Sequence, residues 1–339
     1  MKLDNSSIKV ILYGFGNMNK IVLRYLLEKG YNQIVGVINH HDVGQDAGEV
    51  AGLEKLNIVI SAESEIVDVI ERTKPNVCIL ATRSFLNELA SVLRIFSAYG
   101  VNTITMGEEA FYAWNTSPDI CQELDEKFKL NNCTFTATGA QDIFWGYLPA
   151  ILVGTSHKIK RMLGLIQFNV DDYGRALCEA HGVGLTQVEF KRQFESNHET
   201  RPSYIWNSNE WICSYFGWQL KKNEQKLLPI VCSKNVNSKS FGTVIKAGDV
   251  IGMKAVVTTI TCDGIEIETT MISQVYFDDM VDICSWKLVG EPETEIVIKR
   301  PATVEVACAA AVNRIEQVVN ANPGYVTTDK LGPISWKFH

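Results

Sequence analysis

Hydrophobic positions in the first part of the chain follow two alternating patterns. Short apolar runs typical of buried strands occur in IKVILYGFG, NQIVGVIN, NIVIS, VCILAT, NTITMG and CTFTATG. Among them, apolar residues recur at helical spacing in MNKIVLRYLLEKG, EIVDVIERTK, FLNELASVLRIFSAYG and PDICQELDEKFKLNN. Such alternation builds a parallel sheet with crossover helices. We therefore predict an α/β fold whose N-terminal domain, residues 1–139, is a doubly wound Rossmann sheet.

The pattern changes after Gly139. A helical segment, QDIFWGYLPAILVG, precedes the long strand candidates KRMLGLIQFNVDDY, KAVVTTIT and IEIETTMISQVYF. The last two are joined by the turn signal Cys262-Asp263-Gly264. We predict a second α+β domain, residues 140–300, on a mostly antiparallel open sheet. Residues 301–339 begin with an Ala-rich amphipathic helix, and we expect this helix and tail to return to the first domain.

Composition restricts the class of protein. The chain is 46% hydrophobic and 21% charged, with a formal net charge of −7, which is typical of a soluble globular protein. The acidic balance argues against nucleic-acid binding. No run of about 18 apolar residues predicts a membrane span, and the N-terminus lacks signal-peptide features, so we expect a cytoplasmic protein. The nine cysteines are scattered singly, which favours structural thiols and no metal site.

A dinucleotide-binding turn is predicted after the first strand. Gly14 and Gly16 supply the tight turn and the close approach to pyrophosphate that this fold requires. Asn19 stands where the third glycine of G-x-G-x-x-G is usual, at a position that serves helix packing rather than phosphate binding. The predicted cofactor contacts of this turn are Gly14, Phe15, Gly16, Asn17 and Met18.

Further cofactor contacts are expected after the second and fourth strands. Asn39 occupies the position where a carboxylate would accept the adenosine ribose hydroxyls of NAD, and it has no charge to repel a 2′-phosphate. His40 and His41 can donate to that phosphate, although both also fit as exposed loop residues. We therefore expect NADP as the preferred cofactor, with NAD also possible. After the fourth strand, the expected contacts are Ala81, Thr82 and Arg83.

The candidate proton-transfer group follows the fifth strand. Glu108 and Glu109 lie where open α/β sheets place their ligands. We expect one carboxylate to face the ligand, where desolvation raises its pKa for acid–base work, and the other to cap the short helix that follows. The alternative is two solvated acids at a helix start. Aromatic residues, including Phe144, Trp145, Tyr173 and Tyr204, offer an apolar substrate pocket, although single aromatics are more often core.

Several longer motifs resemble one family. They are GFGNM at 14–18, VGQDAGEVAGL at 43–53, ATRSFL at 81–86, MGEEAFYAW at 106–114, TGAQDIFW at 138–145, and PATVEVACAAAVNRI with NPGYVTTDKLGP near the C-terminus. Together they resemble the 2,4-diaminopentanoate dehydrogenases and the native NAD(P)-dependent amine dehydrogenases, which share a dihydrodipicolinate-reductase-like plan. VGQDAGEVAGL and PGYVTTDKLGP are the more diagnostic, because neither belongs to dinucleotide folds in general.

The resemblance implies a two-domain homodimer that deaminates a primary amine to a ketone or aldehyde, with reductive amination by ammonia in reverse. Glu108 matches the family's catalytic glutamate. Trp145, Tyr173, His198 and Thr303 correspond to pocket positions. Asn19 and Asn39 depart from the common pattern and bear on cofactor preference more than on reaction type.

Three alternatives stay open. A diamino acid substrate needs a cation for its carboxylate, and the second domain contains the candidates Arg161, Arg175, Arg192 and Arg201. Another reductase of the same fold is possible, but the basic, histidine-rich substrate motif of dihydrodipicolinate reductases is missing from the sequence. The third alternative is a dinucleotide-binding sensor without catalysis.

Overall fold

The computed structural model describes residues 7–31, 33–195 and 202–336. Its strands, in chain order, are β1 (Val10–Tyr13), β2 (Ile34–Ile38), β3 (Ile60–Ser61), β4 (Val77–Leu80), β5 (Asn102–Thr105), β6 (Thr134–Ala137), β7 (Lys158–Asn169), β8 (Leu220–Val231), β9 (Val236–Ser238), β10 (Thr243–Ile245), β11 (Val250–Thr261), β12 (Glu266–Gln274), β13 (Ile283–Glu291), β14 (Thr294–Lys299) and β15 (Gly324–Tyr325).

The α-helices are α1 (Asn17–Glu28), α2 (Ala47–Val50), α3 (Ile66–Thr73), α4 (Leu86–Ala98), α5 (Pro118–Leu130), α6 (Leu148–Val153), α7 (Arg175–Ala180), α8 (Gln187–Phe190), α9 (Tyr204–Phe216), α10 (Thr303–Val319) and α11 (Thr328–Leu331). Short 3₁₀ turns cover Glu63–Glu65, Glu109–Phe111 and Val170–Tyr173. Wider π-helical turns cover Asp142–Tyr147 and Lys191–Glu195.

The described residues form two compact units. The first comprises those of Met1–Tyr147 and Ala302–His339, and the second is Leu148–Pro301. The first unit contains a parallel sheet in the order β15-β6-β5-β4-β1-β2-β3. Helices α3, α4 and α5 cover one face, and α1 and α10 cover the other. The predicted doubly wound Rossmann sheet is confirmed.

Local sequence explains the elements that place the candidate site. β1 is entirely buried, as expected of a central strand with neighbours on both sides. α1 ends before Gly30, whose φ of +77° is the left-handed conformation that closes many helices. Pro118 begins α5 at a position where its missing N–H costs nothing. Because β5, β4, β1 and β2 are parallel neighbours, their carboxyl ends meet along one edge of the sheet.

The C-terminal segment completes the first unit. α10 packs against α1 and beside β5, and Gly324–Tyr325 pairs with β6 as an edge strand. The ring of Tyr325 stacks on Phe135 and Trp114, with centroids 5.0 and 5.2 Å away. The tail therefore belongs to the core of this unit.

The second unit contains a six-stranded sheet in the order β14-β13-β7-β12-β11-β8. Every neighbouring pair is antiparallel except β12 with β7. The hairpin predicted at Cys262-Asp263-Gly264 joins β11 to β12, with Gly264 at φ +81°. α9 packs over β8, β11 and β12. The expected mostly antiparallel α+β domain is confirmed.

Two predicted elements differ in extent. The strand predicted to reach Tyr173 ends at Asn169, because Val170–Tyr173 forms a 3₁₀ turn in which the Asp171 amide donates to the Asn169 side chain at 3.3 Å. The helix predicted over QDIFWGYLPAILVG is divided between the π-helical turn Asp142–Tyr147 and α6.

Candidate functional site

The turn after β1 requires glycine at its first position. Gly14 has a φ of +80°, a conformation that other residues rarely adopt. A Cβ atom there would lie 2.5 Å from the carbonyl oxygen of Ala81 and 2.4 Å from Cγ2 of Thr82. The loop after β4 therefore packs against the turn after β1. This contact brings together Gly14, Ala81 and Thr82, all of which are predicted cofactor residues.

Gly16 leaves the amino end of α1 open. It precedes the helix without any side-chain hydrogen bond to the first turn, and that turn contains no acidic residue. A Cβ atom on Gly16 would meet nothing within 4 Å. Asn17 is exposed beside it and Met18 is half-buried. Because free amides and the helix dipole attract anions, this open cradle fits the pyrophosphate of a dinucleotide.

Asn19, which stands at the position of the usual third glycine, holds α1 in place through side-chain hydrogen bonds. Its side chain is fully buried, and Nδ2 lies within bonding distance of three carbonyl oxygens, those of Tyr13 (3.1 Å), Gly14 (2.9 Å) and Ile79 (3.2 Å). These oxygens belong to β1, the following turn and β4. Asn19 thus ties α1 to the strand ends that surround the turn.

Asn39, after β2, is buried and directed inward. Its Oδ1 accepts a hydrogen bond from the backbone amide of Phe15 at 3.1 Å, and its Nδ2 donates to the carbonyl oxygen of His41 at 3.1 Å. The Phe15 side chain lies in the core beneath the turn. Asn39 and Phe15 therefore support the turn after β1 from inside the protein.

His40 and His41 are the exposed side chains at the end of β2. Their rings lie close together, with centroids 3.9 Å apart. Nδ1 of His40 lies 4.0 Å from a carboxylate oxygen of Glu63, which follows β3. The end of β2 therefore combines two rings that can donate hydrogen bonds with one acidic side chain.

The loops after β4 and β5 are in contact. A Cβ atom on Gly107 would lie 2.8 Å from the carbonyl oxygen of Arg83, and the amide of Glu109 donates to the carbonyl oxygen of Ser84 at 3.0 Å. Thr82 and Arg83 are exposed on this edge. Glu108 follows the end of β5. This strand end contacts the Ala81–Arg83 loop, and that loop in turn contacts Gly14.

Glu108 is accessible to solvent but poorly hydrated. The residue is exposed, yet the protein atoms around its carboxyl group desolvate it and raise its pKa above the ordinary value. A hydrogen bond with the Ser84 side chain acts in the opposite direction and is the weaker effect. A carboxyl group that a small ligand can reach, and whose pKa is raised, is suited to proton transfer near neutral pH.

Glu109 has a structural role that differs from the expected cap. Its carboxylate accepts a hydrogen bond from the amide of Leu86, the first residue of α4, at 2.7 Å. It also accepts from the hydroxyl groups of Thr116 at 2.9 Å and Ser117 at 2.8 Å. Glu109 therefore joins α4 to the start of α5 instead of capping the 3₁₀ turn, because its side chain extends away from that turn.

Three pocket candidates belong to the first unit. Phe144 and Trp145 lie in the π-helical turn Asp142–Tyr147, where Phe144 is half-buried and Trp145 is buried. Thr303 is the first residue of α10 and is half-buried. A π-helical turn is uncommon and frequently occurs at functional sites.

A buried ion pair fixes that π-helical turn. Oδ2 of Asp142 accepts hydrogen bonds from Arg314 on α10, at 2.9 and 3.0 Å, and from the hydroxyl group of Thr138 at 2.7 Å. Both charged side chains are fully buried. Arg314 also donates to the carbonyl oxygen of Gly332 in the tail at 2.6 Å. The turn is therefore attached to the residue after β6, to α10 and to the tail.

The remaining pocket candidates belong to the second unit. Tyr173 ends the 3₁₀ turn after β7, is 41% exposed, and meets Phe168 edge to face. Tyr204 is the first residue of α9 and is half-buried. His198 lies outside the described residues.

Three contributors to the candidate site were not singled out from the sequence. Ser84 bonds to Glu108, Glu63 lies beside His40, and Asp142 fixes the turn that contains Trp145. Ser84 and Asp142 fall inside the family-like motifs ATRSFL and TGAQDIFW, so their position in these motifs could have identified them. Glu63 had no local signal, because its proximity to His40 depends on the pairing of β2 with β3.

Other classes of site find no support in the part of the chain that the structure describes. Within residues 7–31, 33–195 and 202–336, no cluster of His, Cys, Asp or Glu could hold a metal ion. No described helix is both long and apolar enough to cross a membrane. Eight of the nine cysteines are buried, and Cys262 is exposed.

Comparisons with known proteins agree with this geometry. A family model for the 2,4-diaminopentanoate dehydrogenase C-terminal domain matches residues 146–335. The 2,4-diaminopentanoate dehydrogenase of Acetoanaerobium sticklandii is 24% identical over 333 residues, covering 94% of this chain and 92% of the relative. The solved structure of an amine dehydrogenase from Mycobacterium smegmatis matches with a TM-score of 0.90 and 35% identity, covering 98% of both chains.

A more distant likeness concerns the fold alone. The myo-inositol 2-dehydrogenase of Lactobacillus plantarum matches with a TM-score of 0.62 at 13% identity, covering 96% of this chain and 93% of that one. The family model covers more than half of the chain, and the Mycobacterium structure spans almost all of it. The chain therefore belongs to the 2,4-diaminopentanoate dehydrogenase family, and it is a dehydrogenase of the dinucleotide-binding fold.

Proposed function

We propose that the protein catalyses the reversible oxidative deamination of a primary amine to a ketone or aldehyde plus ammonia, with Glu108 transferring the proton. The protein is an NAD(P)-dependent oxidoreductase that acts on amine donors, and its substrates are small molecules. The observation that carries the finer proposal is Glu108, an accessible carboxyl group with a raised pKa on the edge of the sheet that also contains the open cradle at Gly16.

In the proposed reaction, hydride transfer belongs to the cofactor and proton transfer to Glu108. When bound, the nicotinamide of NAD(P) takes the hydride from the amine-bearing carbon or returns it. Glu108, ionised, accepts the proton that the amine nitrogen or the attacking water must lose. Protonated, it returns that proton to the departing ammonia. Its raised pKa favours both steps, because the proton is then held and released near neutral pH.

NADP is the proposed preferred cofactor, and NAD is also used. Asn39 brings no charge to the end of β2, and both of its polar groups are bonded within the protein. His40 and His41 are exposed there and can donate hydrogen bonds to a 2′-phosphate. The other proposed cofactor contacts are the turn residues Gly14, Phe15, Gly16, Asn17 and Met18, and the loop residues Ala81, Thr82 and Arg83.

A simple amine or carbonyl compound is the favoured substrate. The proposed pocket residues are Phe144, Trp145, Tyr173, His198, Tyr204 and Thr303. Two of the arginines considered as anchors for a carboxylate are already paired. Arg161 bonds with Glu266 and Glu268, and Arg175 bonds with Glu179. These pairs reduce the support for a substrate that contains a carboxylate.

The second candidate is oxidation of 2,4-diaminopentanoate. It is favoured by the Acetoanaerobium sticklandii relative, which spans nearly the same length as this chain. A binding protein without catalysis is the third candidate, and the accessible Glu108 beside the Gly16 cradle argues against it.

The assay that separates these candidates follows nicotinamide absorbance with NADPH and NADH. Small ketones and aldehydes are tested with and without concentrated ammonium at alkaline pH, and 2,4-diaminopentanoate is tested in the oxidative direction. Turnover of plain carbonyl compounds that requires ammonium supports the proposal. Activity confined to the diamino acid supports the second candidate, and cofactor binding without turnover of any substrate supports the third.

A homodimer is also proposed, on the basis of the six-stranded sheet. α9 covers one face of this sheet. On the other face, Leu163, Leu165, Val256 and Ile272 are only half-buried, and Leu228 is 43% exposed. Partly exposed apolar side chains on the sheet face opposite α9 offer a surface for contact between copies. Light scattering should give twice the chain mass of 37.9 kDa, and Leu165→Glu should give the monomer.

A further inference from the structure

Asn39 supplies no carboxylate for the ribose-binding role that is usual at the end of β2, and its side chain is mostly committed within the protein. Its Oδ1 is bonded to the Phe15 amide and its Nδ2 to the His41 carbonyl oxygen, and the residue is only 5% exposed. A dinucleotide that binds at the Gly16 cradle would still bring its adenosine ribose toward the end of β2. A charged hydrogen-bond acceptor for that ribose would therefore come from a neighbouring element.

Glu63 is the acidic residue placed for this role. β3 pairs with β2 through Val37 with Ile60 and Ile38 with Ser61, so the segment after β3 emerges beside the end of β2. The amide of Asn39 itself donates to the carbonyl oxygen of Ser61 at 3.0 Å. Two residues later, the Glu63 carboxylate lies 4.0 Å from Nδ1 of His40, with 45% of its side chain exposed.

The neighbouring acid does not compete for this role. Glu65 turns back and accepts a hydrogen bond from the amide of Ala62 at 2.8 Å, which holds the 3₁₀ turn together. The charge of Glu63, in contrast, is felt at the end of β1. Burial first, and then the charge of Glu63, raise the pKa of Tyr13, which directly precedes Gly14, to about 12. Glu63 thus acts on the ends of β1 and β2 together.

We propose that Glu63 sets the discrimination between NADP and NAD. Its carboxylate accepts hydrogen bonds from the ribose hydroxyl groups of NAD, which compensates for the uncharged Asn39. The same charge opposes the 2′-phosphate of NADP and pairs with His40, one of the two groups that would bind that phosphate. Glu63 therefore keeps NAD usable in a site whose histidines favour NADP. This inference rests on the cofactor site of the proposed function.

The test measures binding of two fragments that lack nicotinamide, ADP-ribose and 2′-phospho-ADP-ribose, by titration calorimetry. Glu63→Gln should bind 2′-phospho-ADP-ribose about fivefold or more tightly than the parent, the scale of one unit charge acting at a water-accessible site. It should bind ADP-ribose no better than the parent. His40→Gln should weaken binding of the phosphorylated fragment. Glu126→Gln, the same change of charge on α5, which packs near the opposite edge of the sheet beside β15 and β6, is the matched control and should leave the ratio unchanged.

The outcomes separate this inference from the proposed function. If the parent binds both fragments and Glu63→Gln leaves the ratio of their affinities unchanged, Glu63 is not the discriminating residue and the cofactor site stands. If the folded parent binds neither fragment, the cofactor site itself is wrong and both proposals fail. Because Glu63 is largely exposed, its variant should unfold at the parent's temperature, which a thermal melt checks.

Discussion

At the scale of single residues, the proposed proton transfer rests on Glu108, whose carboxyl group is both accessible and poorly hydrated. Glu108→Gln keeps the shape and removes the titration, so cofactor binding should persist while kcat falls by about 10²–10⁴, the range for general acid–base groups. The rate of deamination in the parent should rise with pH through the raised pKa of Glu108, because only the ionised form accepts a proton. That inflection should be missing in the variant.

The measurement for Glu108 combines kcat across pH with cofactor affinity for the parent, Glu108→Gln and Glu126→Gln. Glu126 lies on the exposed side of α5, where its carboxylate accepts a bond from Gln122. The Glu126 variant should match the parent in both quantities. Turnover of Glu108→Gln within about threefold of the parent would remove Glu108 from the mechanism, since general acid–base groups contribute far more.

The two glycines of the β1 turn should respond differently to alanine. Gly14→Ala strains a left-handed residue by about 1–2 kcal/mol and places a methyl group against the Ala81 carbonyl oxygen. Its thermal unfolding temperature should fall. Gly16→Ala meets open space and an ordinary φ of −83°, so its stability should match the parent, while cofactor affinity should fall about tenfold or more, on the order of 1.4 kcal/mol. Unchanged affinity in Gly16→Ala would show that the cradle does not receive the pyrophosphate.

At the scale of elements, the loop between β2 and β3 is organised around one carboxylate. Asp46 is buried, and its oxygens accept hydrogen bonds from four backbone amides, those of Gly48, Glu49, Leu56 and Ile58. Desolvation raises the pKa of Asp46, but the four bonds together outweigh it, and the pKa lies below its ordinary value. In the family-like motif VGQDAGEVAGL, Asp46 therefore fixes the conformation of this loop.

The loop should lose stability in acid because of Asp46. A carboxyl group with a depressed folded pKa stabilises the fold fully above its unfolded pKa of about 4, and that contribution disappears as pH falls through the folded pKa. Asp46→Asn lacks this contribution at every pH. The gap in urea midpoint between parent and variant should thus be largest near neutral pH and narrow in strong acid. Asp42→Asn, nearby on the same loop, serves as control, and a gap that is independent of pH would contradict the prediction.

Elements with a strong local pattern could be predicted from the sequence, and those made by distant contacts could not. β1 and α1 show their apolar period within a few residues, and Gly14, Gly16 and Glu108 follow from their places at strand ends. β15 has only Gly324 and Tyr325, and it is a strand because β6 offers it a free edge. The same holds for the bond of Asn19 to the Ile79 carbonyl oxygen and for the Asp142–Arg314 pair, whose partners are far apart in the chain.

At the scale of the whole chain, the C-terminal tail reaches the segment that contains Glu108. The Tyr325 hydroxyl group donates to the carbonyl oxygen of Ala110 at 2.7 Å and accepts from the amide of Ala113 at 3.2 Å. Ala110 lies in the 3₁₀ turn that directly follows Glu108. Residues more than two hundred positions apart in sequence thus share one buried contact.

This contact predicts a double effect for Tyr325→Phe. The ring can still stack on Phe135, but the buried Ala113 amide loses its partner, which costs about 1–3 kcal/mol and lowers the unfolding temperature. Because the freed segment begins next to Glu108, kcat should also fall, while affinity for ADP-ribose should not change, since the Gly16 cradle lies at α1. Tyr99→Phe, which removes an exposed bond to Glu71, is the control and should change neither quantity. A destabilised Tyr325→Phe with the parent's kcat, measured well below its melting temperature, would show that the tail supports the fold without orienting Glu108.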